Sequence, residues 1–376
     1  LVDSSRLCNQ YPVGVSIFQL PGFLIAHAWT VWSGKHFADG YSKPYQQATA
    51  YSTLLFGFLG LIFLFLLIRR YFSENISLLT VLLIAGGTNI TNYWIIETGY
   101  SHVYLFFLYA VMLYITDSWF RTLRWHLAAL IGLVIGLATI TRPVDIFICL
   151  IPVLWIFSVR DKWEFIQTHR KHIMFLLLSA FVMTWPQLIY WKYVTGYWFY
   201  YSYSGVDYFE FDRFRLIHGL ISFRKGWFVY TPLALIAFIG IFHFRLQGNL
   251  LFYKRVFWFY FIPVLYLVFS WHNWFYGWSY GCRALIQTLP LLAIPLANLL
   301  QKMVSFNLLK KFSVSVILVF IFFLNIFQND QYNRGIIHGA SMNETLYWSV
   351  FLKNERPPNF DQVLKLQEEI DWAMGW

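Results

Sequence analysis

Apolar runs long enough to cross a bilayer recur from one end of this chain to the other, and nothing else in it constrains the fold as strongly. A run of about twenty apolar residues spans hydrocarbon as a helix, because each backbone N–H and C=O must find its partner inside the segment. Of 376 residues, 59% are hydrophobic and 12% charged, against roughly 25% charged in an ordinary soluble domain. The chain is therefore expected to be all-α, a polytopic transmembrane helical bundle. Ten spans are expected, near 48–68, 76–95, 102–117, 126–141, 143–158, 173–193, 228–244, 256–271, 284–301 and 312–327. Residues 15–32 are apolar but contain Pro21 and Gly22, and are expected as a pair of helices lying in the outer interface.

The charges supply an independent test. Alternate connections hold Arg69 and Arg70; Arg121 and Arg124; Arg160, Lys162, Arg170 and Lys171; Arg245, Lys254 and Arg255; and Lys302, Lys310 and Lys311. These carry 14 of the 28 basic residues and only four of the 18 acidic ones, so the formal charge of +10 sits on one side. Such a bias marks the cytoplasmic face, and it makes the basic balance a topology signal, not a nucleic-acid footprint. Three parts follow: external loop and interfacial helices at 1–47, a transmembrane catalytic bundle at 48–327, and an extracytoplasmic tail at 328–376. The chain begins without methionine or a signal-peptide n-region, and residue 1 already falls outside. A preceding span is expected upstream, which would make about eleven.

Cys149 lies in an apolar run and reads as packing, Cys8 and Cys282 leave an external disulfide open, and no Cys/His spacing matches a zinc site. Aromatic residues make up 22% of the chain. Interfacial belts use part of that share, and a sugar- or lipid-facing surface can use the remainder. The stretch "ATITRPVDIF" places Arg142 and Asp145 between two uncharged runs. A charge beside hydrocarbon is either an interfacial anchor or a binder of something.

Four stretches in order, "NQYPVGVSIFQLPGFLIAH", "ETGYSHVYLFFLYAVMLY", "GLATITRPVDIF" and "WHNWFYGWSYGCRALIQTLPLLAIPLA", resemble the membrane-embedded glycosyltransferases of the GT-C class. The likeness is to the branch holding protein mannosyltransferases and the lipid A aminoarabinose transferase. The resemblance implies inverting transfer of a sugar from a polyprenyl-phosphate carrier to a lipid, glycan or protein acceptor, on the extracytoplasmic face of a bacterial inner membrane. It also implies a main catalytic Asp after the first span; Asp3 is too near the Tyr-Pro segment to match it. Some members use a divalent cation and others do not, so the cofactor stays open.

The chemistry of such a donor selects candidate residues. Its phosphate needs cations at the outer interface, and arginine binds phosphate oxygens through a planar fork while keeping its charge. Arg142, Arg283, Arg224 and Lys225 are the candidates for the donor phosphate. For Arg142 the competing reading is a snorkelling anchor paired with Asp145; for the others it is interfacial anchoring. An acceptor hydroxyl needs a base, and Glu97 and His102 flank one external turn. A structural pair capping the next helix is the plainer alternative. Tyr11, Trp274, Trp278 and His272 are candidates for substrate contact, with an aromatic belt and a locally satisfied histidine as alternatives. Gly132 and Gly136 form a GxxxG suited to close packing inside the bundle, and Asn343-Glu344-Thr345 forms a chance-level glycan sequon.

A flippase or transporter of lipid-linked sugars and a surface-polysaccharide polymerase or ligase are the alternatives. Transporters usually carry charges near the midplane and duplicated halves; here the charges gather at one face and no repeat is evident.

Overall fold

A computed structural model of the chain describes residues 7–203, 207–242 and 253–373. Asp3 and Arg245 lie outside them. The described residues are all-α: 73% of the structure is helix, with no strand. In chain order the helices are α1 Gly14–Ser33, α2 Lys43–Ile68, α3 Glu74–Gly87, α4 Ser101–Thr122, α5 Trp125–Thr141, α6 Leu150–Phe157, α7 Lys162–Thr168 and α8 Arg170–Thr195. Then come α9 Leu216–Ile221, α10 Trp227–Tyr230, α11 Pro232–Gly240, α12 Tyr253–Phe269, α13 Leu289–Met303, α14 Leu308–Asn333, α15 Glu344–Val350 and α16 Phe360–Ala373.

Among the described residues, six helical segments are long and apolar enough to cross a membrane: α1, α2, α4, α8, Arg283–Met303 and α14. Five of these coincide with expected spans. The sixth corrects the reading of residues 15–32, since α1 runs unbroken for 20 residues with Pro21 inside it. Pro21, the eighth residue of α1, removes the one bond its N–H would have given the Ile17 carbonyl, and the helix runs on through it.

The other five expected spans are shorter or broken, and proline explains the break inside 228–244 and the seam between 126–141 and 143–158. The residue before a proline is pushed out of the α region. Arg142 (φ −153°, ψ 117°) ends α5 before Pro143, and a 3-10 segment Pro143–Cys149 follows. Thr231 (φ −138°, ψ 66°) separates α10, four residues long, from α11 before Pro232. Pro143–Phe157 and α7 meet at 108°. α3 has 14 residues and gives way to a π-helical turn, Asn92–Ile96. α5 and α12 have 17 each.

The chain divides into two compact units, one formed by Leu1–Leu67, Glu97–Tyr208 and Leu246–Val264, the other by Ile68–Ile96, Phe209–Arg245 and Leu265–Trp376. In the first, α5 lies along α8, and the GxxxG explains how closely. A methyl on Gly136 would sit 2.6 Å from the Ala180 carbonyl oxygen, and one on Gly132 would overlap Leu176 and Ser179. The Ser179 hydroxyl donates to the Ala129 carbonyl across the helix pair at 2.7 Å. In the second unit α3 packs on α13 and α14, and α11 on α13. A buried cluster with Tyr230, Tyr280, Tyr332 and Tyr347 joins the tail to it. No disulfide links Cys8 to Cys282.

Overpacking the glycine seam forces backbone shifts. Gly136→Leu is expected to destabilise the first unit by about 1–3 kcal/mol or more, read as earlier unfolding in detergent micelles. Leu130→Phe, on an exposed face of the same helix, should leave the transition in place.

Candidate functional site

The seam after α5 holds a buried, ion-paired carboxylate of the first unit, Asp145. Pro143 makes Arg142 extended, while the Arg142 N–H still closes α5 on the Ala138 carbonyl at 3.0 Å. The 3-10 turn then brings Asp145 back, its N–H on the Arg142 carbonyl at 2.8 Å. Arg142 Nε and Asp145 Oδ2 lie 2.8 Å apart, with side chains 17% and 2% exposed. From α4, the Tyr109 hydroxyl donates to Asp145 Oδ1 at 2.9 Å. The Tyr260 ring of α12 meets Tyr109 edge-on at 5.8 Å. A buried carboxylate costs several kcal/mol unless it is paired and hydrogen-bonded; Arg142 and Tyr109 supply both.

Four further contacts bring Tyr11 towards this seam. α8 holds the Tyr-Pro segment: Asn9 N–H donates to the Tyr190 hydroxyl at 2.7 Å and Val13 N–H to Gln187 Oε1 at 2.8 Å. Ser202, in the loop after α8, donates to the Gln10 carbonyl at 2.6 Å. Gly14 abuts Thr141 so closely that a Cβ there would overlap it. Tyr11 is exposed and meets the Tyr203 ring edge-on at 6.4 Å. Burial pushes the Tyr203 phenol up, the neighbouring Tyr11 adds to this, and the positive charge of Arg142 opposes it. Tyr11 and Tyr203 thus stand together, with Arg142 within electrostatic reach of the Tyr203 hydroxyl.

Tyr203, Tyr109 and Tyr260 were not among the expected site residues. For Tyr203 the signal is "GYWFYYSY" at 196–203, a density of aromatics no belt requires. Tyr109 and Tyr260 sit in apolar runs and carry no such mark.

Glu97 and His102 are brought to one turn. Gly99 (φ +93°) makes the reversal, and its N–H donates to Thr53 Oγ1 of α2 at 3.0 Å. His102 is buried in the first turn of α4, its ring 6.4 Å from that of Tyr100, and Glu97 is half-buried.

The remaining candidates lie in the second unit. Arg224 is buried, with Nε donating to the Ala340 carbonyl at 3.0 Å, Nη2 3.2 Å from Asp371 Oδ2, and its guanidinium 3.6 Å from the Phe275 ring centroid and 5.9 Å from that of Trp274. Burial lowers the Arg224 pKa and Asp371 opposes that shift; an arginine stays charged under both. Lys225 Nζ donates to the Ser279 and Gly339 carbonyls. Both cations therefore tie the tail to the loop between α12 and α13. Trp274 is buried, whereas Trp278 is exposed and edge-on to His338 at 4.5 Å. His272 is half-buried after α12, and Arg283 opens the 3-10 turn that leads into α13. Asn343, of the sequon, accepts from Leu346 N–H at 2.8 Å and caps α15. No group of three His, Cys, Asp or Glu among the described residues could hold a metal ion.

His338 fixes the tail's first turn. Its Nδ1 accepts the Ser341 N–H at 3.1 Å, which requires that nitrogen to be unprotonated. Burial first, then Arg356 and Lys225, push its pKa from 6.5 down to about 4, with Asp361 opposing. Comparison with family models, curated proteins and solved structures returns no match.

Two outcomes are expected. Tyr109→Phe should destabilise the first unit by about 1–3 kcal/mol, the cost of a buried acceptor losing its donor, measured by denaturant unfolding in micelles. For His338 the folded pKa is depressed, so its contribution is complete above pH 6.5 and is lost as pH falls towards about 4. Amide exchange at residues 338–341 should speed up across that window, and His338→Gln should flatten the dependence.

Proposed function

We propose that this protein is a membrane glycosyltransferase that moves a sugar from a polyprenyl-phosphate carrier to an acceptor at the extracytoplasmic face of a bacterial inner membrane. The observation that carries this reading is the Arg142 seam: a cation at a helix end, oriented by a buried carboxylate that Tyr109 also meets, and within electrostatic reach of Tyr203, which Tyr11 meets edge-on.

The donor has an anionic phosphate at the membrane surface, an apolar tail and a polar sugar. Asp145 engages one edge of the Arg142 guanidinium, which carries five N–H donors in a plane. Fixing that plane prepares a fork for phosphate oxygens and for the charge that grows on the leaving group. The pair is formally neutral, so its contribution is directional hydrogen bonding more than long-range attraction. Tyr11 and Tyr203 offer aromatic edges and hydroxyls to the sugar. Glu97, at the turn before α4, is the group in this reading that accepts the acceptor's proton, with His102 at the same turn. Arg224 and Lys225 drop out of the phosphate role here, because their donors hold backbone carbonyls and Asp371.

Arg142→Ala is expected to cut transfer from a polyprenyl-phosphate sugar about 100- to 1,000-fold, the usual effect of losing one preorganised transition-state donor. Arg142→Lys should recover only part of it, lacking the fork. The measurement is product formation by the full chain in vesicles. Unchanged transfer in Arg142→Ala would defeat the assignment, and transport of labelled donor without covalent transfer would replace it with a flippase.

A further inference from the structure

At the far end of α5 from Arg142, the first unit gathers cations and aromatic rings on one shelf. α7 forms its edge: Pro143–Phe157 and α7 meet at 108°, so a chain that crosses a bilayer along the first segment runs along its surface in the second. Phe165 of α7 stacks on Phe120 at 5.5 Å and meets Trp119 edge-on at 5.9 Å, both from the last turns of α4. Trp119 Nε1 in turn donates to His172 Nδ1 of α8 at 3.1 Å. Trp125, at the start of α5, packs on Phe175 of α8 with 4.8 Å between ring centroids. These contacts join α4, α5, α7 and α8 at one level.

What the shelf leaves uncovered is of two kinds. Arg121, Arg124, Arg160, Arg170 and Lys171 are exposed, and Lys162 is half-buried with its Nζ 6.0 Å from the Phe157 ring centroid. Asp117, Asp161 and Glu164 are the acids at this end, and Asp117 is buried and accepts from Arg121 Nε at 2.8 Å. Among the cations stand the exposed rings of Trp125, Phe157 and Trp163. Directly beyond Lys171, α8 exposes Met174, Leu177, Leu178 and Phe181.

That order narrows the occupant. α8 is long and apolar enough to cross a membrane, so its exposed apolar face is where acyl chains pack. Arg170 and Lys171 stand one turn before that face begins, about 5 Å along the helix axis, the depth at which lipid phosphates border hydrocarbon. Tryptophan at the same level, with cation stems laid along apolar surface, is the pattern of an interface. A soluble acidic partner would meet the charges but not the apolar face that continues from them, and a zwitterionic headgroup would leave the excess of cations uncompensated. We infer that this shelf binds the headgroups of anionic phospholipids, with phosphate oxygens on Arg160, Arg170 and Lys171 and the Trp163 ring among the glycerol backbones. The site does not depend on the role of Arg142.

The test places the full chain in phosphatidylcholine bilayers doped with photoactivatable phosphatidylglycerol or photoactivatable phosphatidylcholine, each with a diazirine beside the glycerol. Mass spectrometry of the labelled peptides is the readout. Residues 157–171 should be labelled about fivefold or more strongly by phosphatidylglycerol, the worth of one basic side chain at an anionic surface or better. That excess should shrink in about 0.5 M NaCl, where charges are screened within a few ångströms. Arg170→Gln combined with Lys171→Gln should bring the ratio close to one, and both side chains are exposed, so the fold is kept. Arg170→Lys combined with Lys171→Arg keeps the charge and should keep the excess. Equal labelling by the two lipids, an excess indifferent to salt, an excess unaltered in the glutamine pair, or its loss in the charge-keeping pair each overturns the proposal.

Discussion

A carboxylate withdrawn from water inside an apolar helical bundle survives only with its partners in place, and Asp145 is such a group. Its two oxygens meet Arg142 and Tyr109, contributed by the end of α5 and by α4. Replacing a buried ion pair by apolar side chains is often neutral or stabilising, so the pair earns its place poorly as glue. What it does well is fix direction. Arg142 has a long flexible stem, and without Asp145 its guanidinium would follow the nearest water. With Asp145 it is held beside Tyr203 and at the end of a helix that Pro143 forbids to continue.

Proline therefore does more than break helices here. By forcing Thr231 out of the α region, it turns residues 228–244, which read as one plain span, into a helix pair with an irregular joint, and at Arg142 it ends α5 and starts a 3-10 segment at the seam between two expected spans. Irregular backbone in a membrane protein is tolerated where protein surrounds it or where it lines a polar cavity. A joint that carries Arg142, Asp145 and the Tyr109 hydroxyl meets the first condition directly.

The architecture was readable from hydropathy wherever a helix is long and unbroken, as for α2, α4, α8 and α14. It was misread where apolar composition outlasts helical geometry. Residues 228–244 are apolar enough to span, yet Thr231 interrupts them, and composition averaged over a window does not register one residue's φ and ψ. The reverse error occurred at α1, where Pro21 and Gly22 suggested a pair of helices and the segment is one continuous helix that tolerates the loss of a single backbone bond. For the site, Arg142 announced itself because a charge between uncharged runs is costly. Tyr109 and Tyr260 gave no such signal in a chain with 22% aromatics. Their role depends on a carboxylate that reaches them only after folding. Arg224 and Lys225 were visible as cations, but their partners at Ala340 and Gly339 lie 116 and 114 residues away in sequence, beyond any local pattern.

Cations in this chain accordingly serve two physical ends, and exposure separates them. Lys225 is 3% exposed and ends on two carbonyls, and Arg224 is 8% exposed and sandwiched by aromatic rings and Asp371. To meet a ligand phosphate either would have to strip a buried partner, leaving carbonyls or a carboxylate without a donor, each costing about 1–3 kcal/mol or more. Arg142 retains 17% of its side-chain surface while one edge is already oriented. In the proposed role a ligand at Arg142 meets a guanidinium already oriented by Asp145, whereas one at Arg224 or Lys225 would displace a buried partner. That asymmetry, more than the number of positive charges at the rim, is what favours Arg142 over Arg224 and Lys225 in the proposed reading.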